Sequence, residues 1–248
     1  MVVAHPDDET IGAGASLRLF RRLQLVHATD GAPRNLDDAR AAGFASAEEY
    51  AAARRRELDA ALALGDVRAE RAALGAADQG ASFRMAELSR ALAALLQRHG
   101  ARAVLTHPYE GGHPDHDTLA FCVRAAVSLL VRGGGDAPEV AEMAFYHAAP
   151  EGWAIGRFLP GGSSPTVAAL TGEERARKRA MLDAFATQAA TLARFPVGEE
   201  VFRPAPGYDF RAPPHAGTLL YERFAWGMDG ARWRRLAVEA AGELGLEA

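Results

Sequence analysis

The sequence has almost no cysteine and almost no lysine. Cys122 is the single cysteine among 248 residues, so an intramolecular disulfide is excluded and no oxidising compartment is required. It lies in an apolar stretch, which predicts a buried small side chain rather than a catalytic thiol. Lys178 is the single lysine, and its charged surroundings predict a place on an exposed, ion-paired helix face.

Long apolar runs and basic blocks are also missing. No stretch reaches the roughly 18 to 20 uninterrupted apolar residues of a membrane-spanning helix, and no basic region precedes an apolar core at the N-terminus. A net charge of −4 without a basic block argues against nucleic acid as the partner. We therefore expect a cytoplasmic protein without a membrane span. Its 248 residues, 49% of them hydrophobic, suffice for one sizeable core.

Stretches of strand and helix character alternate along the chain. This alternation predicts parallel β-α-β units, and so a Rossmann-like α/β fold with a mostly parallel sheet, flanking helices and an active site at the carboxyl ends of the strands. A proline-rich irregular arm is predicted beyond residue 195. The predicted strands lie near 1–4, 23–28, 70–75, 102–106, 140–147 and 218–224, and the predicted helices near 12–22, 47–64, 82–99, 115–131, 171–193 and from about 231.

The first strand leads directly into a histidine and three acidic residues. This string runs from His5 through Pro6, Asp7 and Asp8 to Glu9. His5 and Asp8 are three residues apart, so both side chains can converge on one point if the strand turns into a helix here, with Asp7 beside them. Acidic residues also cap ordinary helices. The string alone therefore leaves chemistry and capping as equal alternatives.

A second polar cluster favours chemistry over helix capping. Residues 107–117 contain three histidines and three carboxylates among glycines, directly after another predicted strand. Neutral imidazole and carboxylate are the natural ligands of Zn²⁺ and related ions. The fold would bring the two clusters together, because each follows a parallel strand. A metal site is therefore favoured over a solvated loop.

The two clusters together resemble a known family. The segments 5–9 and 113–116 are similar to the paired signatures of the PIG-L/LmbE-like zinc-dependent N-deacetylases, which remove acetyl or other acyl groups from amino sugars and glycosides. The segment from Arg54 to Gly65 resembles the family's Arg-x-x-Glu helix, and the segment from Lys178 to Gln188 resembles its later helix. The resemblance implies that residues 1–248 form a single domain of this kind.

The resemblance implies a role for each residue of the first string. His5, Asp8 and His116 would bind Zn²⁺, with Fe²⁺ or another divalent ion as an alternative, and would leave a position open for water and substrate. Asp7, which is not held by the metal, would be the general base that takes the proton of the attacking water.

The second cluster supplies the remaining implied roles. His113 would stabilise the oxyanion or protonate the leaving amine, and Asp115 would orient and charge-stabilise the imidazole of His113. Some relatives carry a tyrosine two residues before this histidine, whereas the chain has Gly111 there. Any help that such a tyrosine gives must therefore come from elsewhere in this chain or be absent.

Three further residues are candidate sugar contacts. Arg54 and Asp78 match family residues that contact substrate hydroxyls, and Tyr109 lies in the loop beside the second cluster. Each also has a structural interpretation, as a solvated helix face, a turn cap or a loop residue. The roles of Gln188, His147 and His215 stay open.

The sequence thus predicts a hydrolase that removes an N-acetyl or other N-acyl group from an amino sugar or glycoside. The small-molecule partner could equally be a sugar–thiol conjugate or an acylated natural-product glycoside, and a homo-oligomer is compatible with the sequence. A non-catalytic sugar-binding relative should have lost Asp7 or a metal ligand, and neither is lost. A ferrous oxygenase uses a similar ligand set, but usually on an all-β scaffold.

Overall fold

The computed structural model describes residues 1–247 and has a mixed α/β architecture. The strands are β1 (Val2–Val3), β2 (Gln24–Pro33), β3 (Glu70–Asp78), β4 (Ala103–Thr106), β5 (Glu139–Met143), β6 (Tyr146–Ala149), β7 (Gly152–Ile155), β8 (Thr166–Ala169) and β9 (Glu199–Pro204). The helices are α1 (Asp8–Ala13), α2 (Asp37–Ala41), α3 (Ala47–Leu64), α4 (Met85–His99), α5 (Pro114–Arg132), α6 (Gly172–Asp183), α7 (Ala189–Leu192) and α8 (Gly230–Leu244).

The first half of the chain builds the parallel part of the structure. Strand β2 pairs in parallel with both β1 and β3, and β4 pairs in parallel with β5. Strand β1 also lies in contact with β4. The predicted α/β class with a parallel sheet and flanking helices is therefore confirmed, and the carboxyl ends of β1, β3 and β4 come together.

The second half departs from the parallel pattern. Strand β9 pairs antiparallel with β5 and β8, and β6 and β7 form a separate hairpin. The single strand predicted near 140–147 is therefore two strands, and the predicted irregular arm contains β9. Ala144 still donates its N–H to the carbonyl of Val201 at 2.8 Å, in register with the β5–β9 pairs, and the chain then enters the β6–β7 hairpin. Short antiparallel pairs between distant segments leave little local signal in a sequence.

The helix predicted near 12–22 is wrong at both ends. Helix α1 already begins at Asp8 and it ends at Ala13. The chain leaves the helix there because the Glu200 carboxylate accepts the backbone N–H of Ala15 at 2.8 Å. A carboxylate from β9 thus satisfies a donor that a longer helix would have satisfied with its own carbonyls.

Two other predicted elements differ from the structure. The helix expected over 171–193 breaks after α6, because the N–H and hydroxyl of Thr187 donate to the Glu57 carboxylate on α3. The strand expected over 218–224 is a 3₁₀ turn, Leu220–Arg223, whose leading N–H is capped by a glutamate side chain. In both segments, side-chain acceptors hold the chain in a local turn.

The main core lies between the parallel strands and helices α4, α5 and α8. Cys122 is fully buried there, as predicted. Trp233 is also fully buried, and its indole N–H donates to the carbonyl of Pro114 at the start of α5. Helix α5 is thereby fixed at the end that carries the second polar cluster. Within residues 1–247, none of the helices combines the length and apolar character needed to cross a bilayer.

The lone lysine is not on an exposed face, so that prediction is wrong. Lys178 is 1% exposed, and its ammonium lies 2.9 Å from a carboxylate oxygen of Glu200, which is 2% exposed. Burial lowers the pKa of Lys178, against the opposing effect of Glu200. This pair joins α6 to β9, and the same carboxylate holds the end of α1.

Replacing Glu200 with alanine should lower the free energy of unfolding by roughly 3–5 kcal/mol, the usual cost of leaving one partner of a buried ion pair uncompensated. Chemical denaturation with urea measures this change. The matched control is Glu199→Ala, since Glu199 pairs with the exposed Arg157 and should contribute about 0–1 kcal/mol. Equal losses in the two variants would contradict the assigned role of the buried pair.

Candidate metal and active site

Polar side chains meet where β1, β3 and β4 end. They come from residues 5–8, from residues 113–116, and from the ends of β3 and β4. Apart from Asp78, which is partly exposed, the polar side chains that meet there are buried, in contrast to ordinary helix caps and loop residues. The residues that meet there are His5, Asp7 and Asp8 from the first segment, Asp78 from the end of β3, His107 from the end of β4, and His113, Asp115 and His116 from the start of α5.

Three donor atoms form a compact triangle within this group. His5 Nδ1 lies 3.2 Å from Asp8 Oδ2 and 3.3 Å from His116 Nε2, and His116 Nε2 lies 3.4 Å from Asp8 Oδ2. In a tetrahedral site with metal–ligand distances of roughly 2.0–2.2 Å, neighbouring donors are roughly 3.3–3.6 Å apart. The three residues therefore fit a divalent ion with little adjustment.

The other nitrogen of His5 faces carboxylates. His5 Nε2 lies 3.0 Å from Asp78 Oδ1 and 3.4 Å from Asp115 Oδ2. Burial acts to lower the pKa of His5, but Asp78 and Asp8 outweigh it and raise that pKa well above its usual value. A carboxylate on the distal nitrogen is how proteins orient a metal-binding histidine. Asp78 therefore contacts His5, and it also lines the cavity in which it is expected to contact a sugar.

His107 was given no role by the sequence, yet it lies against the triangle. Its Nε2 is 3.3 Å from Asp8 Oδ2 and accepts the N–H of Ala4 at 3.2 Å, and its ring stacks on that of His116 with centroids 4.0 Å apart. Other combinations in the cluster also bring potential ligands close together, such as His5 with His113 and His116. Asp8 with His107 and His116 is another such grouping. The three donor separations in the triangle of His5, Asp8 and His116, 3.2–3.4 Å, are those that tetrahedral coordination requires.

Asp7 occupies an unusual backbone conformation. Its φ of 129° is rare for a residue with a side chain. Its N–H donates to Glu9 Oε2 at 3.1 Å, and the guanidinium of Arg54 donates to Asp7 Oδ2 at 2.9 Å and to the carbonyl of Pro6 at 2.6 Å. Burial raises the pKa of Asp7, against the opposing effect of Arg54. Backbone strain held in place by surrounding bonds is typical of functional sites.

The imidazole of His113 is held by a backbone group. Its Nδ1 accepts the N–H of Asp115 at 3.2 Å, so a neutral ring carries its proton on Nε2. Burial lowers the pKa of His113 to about 3, which favours that neutral form. The Asp115 carboxylate instead accepts the N–H groups of Gln79 and Ala81 and approaches His5. The backbone N–H of residue 115, not its carboxylate, thus orients the His113 ring, while the negative charge of Asp115 opposes the lowering of the His113 pKa by burial.

Tyr109 does not face the site, so its expected sugar contact is corrected. Its ring is 3% exposed and stacks on Trp233 with centroids 5.0 Å apart, and its hydroxyl donates to the carbonyl of Ala212. Aromatic neighbours from the C-terminal arm and α8 draw it into the core. The loop position next to the polar cluster therefore misled the prediction.

A cavity of about 1020 Å³ opens beside the triangle. Arg54 and Asp78, both predicted sugar contacts, line it, and so does Gln188, which donates to the hydroxyl of Tyr50. His147 and His215 are not among its lining residues. The lining also includes the triangle residues His5 and Asp8, with Asp7 and His113.

The cavity contains aromatic residues that the sequence did not single out. Tyr146 stands with its ring centroid 5.3 Å from that of His116, and Trp226 lies 4.7 Å from His113. Tyr146 immediately precedes a histidine at a predicted strand end, which was the available signal. Trp226 lies in an irregular segment, and nothing local marks it.

The first half of the sequence matches a known family. The profile described as PIG-L, GlcNAc-PI de-N-acetylase, matches residues 1–127, just over half of the chain. The chain therefore belongs to this family. A search of curated protein sequences finds no match.

Solved structures of other proteins share the fold. An A40926 pseudoaglycone deacetylase is 20% identical with a TM-score of 0.58, over 82% of this chain and 95% of that one. N,N'-diacetylchitobiose deacetylase from Pyrococcus horikoshii is 19% identical with a TM-score of 0.57, over 87% and 86%. The 4-carboxy-2-hydroxymuconate hydratase from Pseudomonas putida KT2440 is 20% identical with a TM-score of 0.54, over 78% and 81%. Because one of the three is a hydratase, the likeness establishes the fold and leaves the reaction to the site.

Proposed function

We propose that the protein hydrolyses the N-acetyl, or another N-acyl, amide of an amino sugar or glycoside. The observation that carries this proposal is the triangle of His5 Nδ1, Asp8 Oδ2 and His116 Nε2, with edges of 3.2–3.4 Å, beside a carboxylate that is not part of it. Three protein ligands with an open fourth position are typical of catalytic zinc sites. Membership of a de-N-acetylase family supports the same reaction.

The metal would be held by His5, Asp8 and His116. Zinc fits the nitrogen and oxygen donors, and ferrous iron is the alternative that the same ligands accept. When bound, a divalent ion supplies Lewis acidity, which lowers the pKa of water and polarises an amide carbonyl. Asp78 keeps the His5 ring oriented through Nε2, as carboxylates that contact the outer nitrogen of a metal-binding histidine do.

Asp7 is the proposed general base. Arg54 holds its Oδ2 at 2.9 Å, which leaves Oδ1 for the proton of the attacking water. Asp8 cannot take this role, because its Oδ2 belongs to the metal triangle. Asp7 passes the proton to the leaving nitrogen as the C–N bond breaks, so that amide and water yield a carboxylate and a protonated amine.

His113 and Tyr146 are the proposed partners of the amide oxygen. With Nδ1 accepting a backbone N–H, His113 presents an Nε2–H donor, which suits stabilisation of a developing oxyanion. Tyr146 lines the same cavity, with its ring centroid 5.3 Å from that of His116, and its hydroxyl is the proposed second donor. We propose that this hydroxyl takes the place of the tyrosine that some family members carry at the position of Gly111.

A panel of acylated sugars tests the proposal. The zinc-loaded and iron-loaded protein should release acetate, with one free amine per acetate, from at least one member among N-acetylglucosamine, its disaccharide, an N-acetylglucosamine thioglycoside and an N-acetylated antibiotic glycoside. Metal-free protein should release none until the metal is returned. A fully metal-loaded, folded protein that binds these compounds without releasing acetate would support the non-catalytic sugar-binding alternative instead.

A further inference from the structure

A glutamate and a histidine that the proposed reaction does not use are buried beside Asp7. Glu9, in the first turn of α1, is completely buried, and His27 on β2 is 5% exposed. The Nε2 atom of His27 lies 3.1 Å from Oε2 of Glu9, and the hydroxyl of Thr10 donates to Oε1 of Glu9 at 2.6 Å. Because a carboxylate only accepts hydrogen bonds, Nε2 of His27 carries the hydrogen. Neither Glu9 nor His27 lines the cavity, so neither can contact a substrate there.

The peptide bond between Pro6 and Asp7 is held at both ends. Its carbonyl oxygen accepts a hydrogen bond from the guanidinium of Arg54 at 2.6 Å. Its N–H donates to Oε2 of Glu9 at 3.1 Å, the same oxygen that His27 contacts. The carbonyl of Asp7, one peptide further on, accepts two N–H groups of α1 at 2.9 Å each. Rotation about the bond between the nitrogen and Cα of Asp7 is therefore restricted from both sides.

This restriction acts at a strained point of the backbone. Asp7 has a φ of 129°, and a residue with a side chain keeps such a conformation only where the surrounding structure over-determines it. Without an acceptor for its N–H, the residue would return to the negative φ values that sterics favour. That rotation would change the direction of the Asp7 side chain and so move its free oxygen away from the metal triangle.

We propose that Glu9 and His27 form a positioning pair for the general base. His27 fixes the carboxylate of Glu9, and Glu9 fixes the N–H of Asp7, so that Oδ1 of Asp7 stays in place for the attacking water. This inference rests on the proposed function, in which Asp7 is the base. The metal triangle does not depend on the pair, because Oδ2 of Asp8 is held by the N–H of His5 at 2.7 Å.

Glu9→Ala removes the acceptor of the Asp7 N–H and should lower kcat roughly 10²-fold, the cost of displacing a reacting group by about 1 Å. KM and the zinc affinity should change little, because neither the cavity lining nor the metal triangle loses a group. Glu9→Gln keeps an oxygen for this N–H and should restore most of kcat. The matched control is Glu70→Ala, at an exposed glutamate that lies 3.6 Å from His99 outside the cavity, and it should leave kcat unchanged.

His27→Ala tests the other member of the positioning pair and leaves Glu9 in place. It should lower kcat by roughly tenfold or more, the rate equivalent of one hydrogen bond to a charged group. His27→Gln places an amide N–H near the position of Nε2 and should recover most of that loss. Circular dichroism checks that each variant is folded.

A double variant separates positioning from a general loss of structure. Added to Asp7→Asn, Glu9→Ala should lower kcat by less than roughly threefold, because the effects of residues that act through one another are not additive. A purely structural role of Glu9 would lower kcat by the same factor in both backgrounds, and that result would overturn the positioning pair.

A readout that needs no turnover separates the positioning pair from the proposed reaction. The three-bond coupling between the amide proton and Hα of Asp7 depends on φ, and it is small at 129° and large for extended backbone. In zinc-loaded protein labelled with nitrogen-15, the coupling should be small in the wild type and in Glu70→Ala and should rise in Glu9→Ala and His27→Ala. If it rises while the wild type releases no acetate, the proposed reaction is wrong and the positioning pair stands. A coupling that stays small in both variants would overturn the pair, whatever their kcat.

Discussion

Replacing Asp7 with asparagine should lower kcat for deacetylation by roughly 10²- to 10⁴-fold, the contribution of a positioned general base, while the metal content stays near that of the wild type. Asparagine has nearly the same shape and can still bond to Arg54, which holds the aspartate at 2.9 Å. It cannot accept a proton from water at neutral pH. Steady-state kinetics and elemental analysis on the same preparation measure both quantities.

The control for this variant is Asp38→Asn, since Asp38 lines the same cavity outside the metal triangle. It should keep both metal and kcat. If Asp7→Asn loses its metal, the roles assigned to Asp7 and Asp8 are reversed. If it keeps both metal and full activity, another group supplies the base.

Replacing His116 with alanine should abolish metal binding and, with it, activity. His116 Nε2 forms two edges of the donor triangle, at 3.3 and 3.4 Å. Loss of a direct ligand should weaken metal binding by more than the roughly 10- to 100-fold typical of losing a residue that only orients a ligand. Titration of metal-free protein with zinc measures the affinity directly, and circular dichroism checks that the fold survives.

His215→Ala is the matched control, because it makes the same change at a histidine that does not line the cavity. Its zinc affinity should equal that of the wild type. A His116→Ala protein that still binds one zinc ion tightly would contradict the triangle. The metal ligands would then be sought in the alternative group of His5, Asp78, His113 and Asp115.

The parallel half of the fold and its polar edge were predictable because local rules determine them. Strands of the parallel half alternate with amphipathic helices, and such units place the ends of their strands together. That rule alone brought His5 and His116 to one place from positions 111 residues apart. The spacing of His5 and Asp8 then determined which carboxylate could share a metal with the histidine.

Features set by distant partners were not predictable in the same way. Lys178 was assigned to the surface because its neighbours in sequence are charged, yet its partner Glu200 comes from an antiparallel strand with no local signature. Tyr109 was assigned to the site because of its loop, but aromatic residues of the C-terminal arm and α8 pull it inward. The same long-range packing places Trp226 over His113, which no local pattern in the sequence indicates.

The glycines beside the second polar cluster combine a feature that the local sequence shows with one that depends on a distant segment. A side chain at Gly112 would meet the carbonyl oxygen of Tyr146 at 2.0 Å, so the close approach of β6 to this loop requires glycine there. The sequence marked the loop as glycine-rich. It could not show that the glycine admits Tyr146 to the cavity, because the approach involves two segments that are 34 residues apart.

The most direct test of the central claim is the fate of water oxygen. Metal-loaded protein is incubated with an N-acetylated amino-sugar substrate in water labelled with heavy oxygen. Mass spectrometry then measures how many labelled oxygen atoms the released acetate carries. If the protein is a hydrolase that uses Asp7 as its base, each acetate carries one labelled oxygen and each amine is unlabelled, and the rates at which both products form fall together, by roughly 10²- to 10⁴-fold, in Asp7→Asn. Acetate without the label, or label incorporated into a product with the amide intact, would contradict the account.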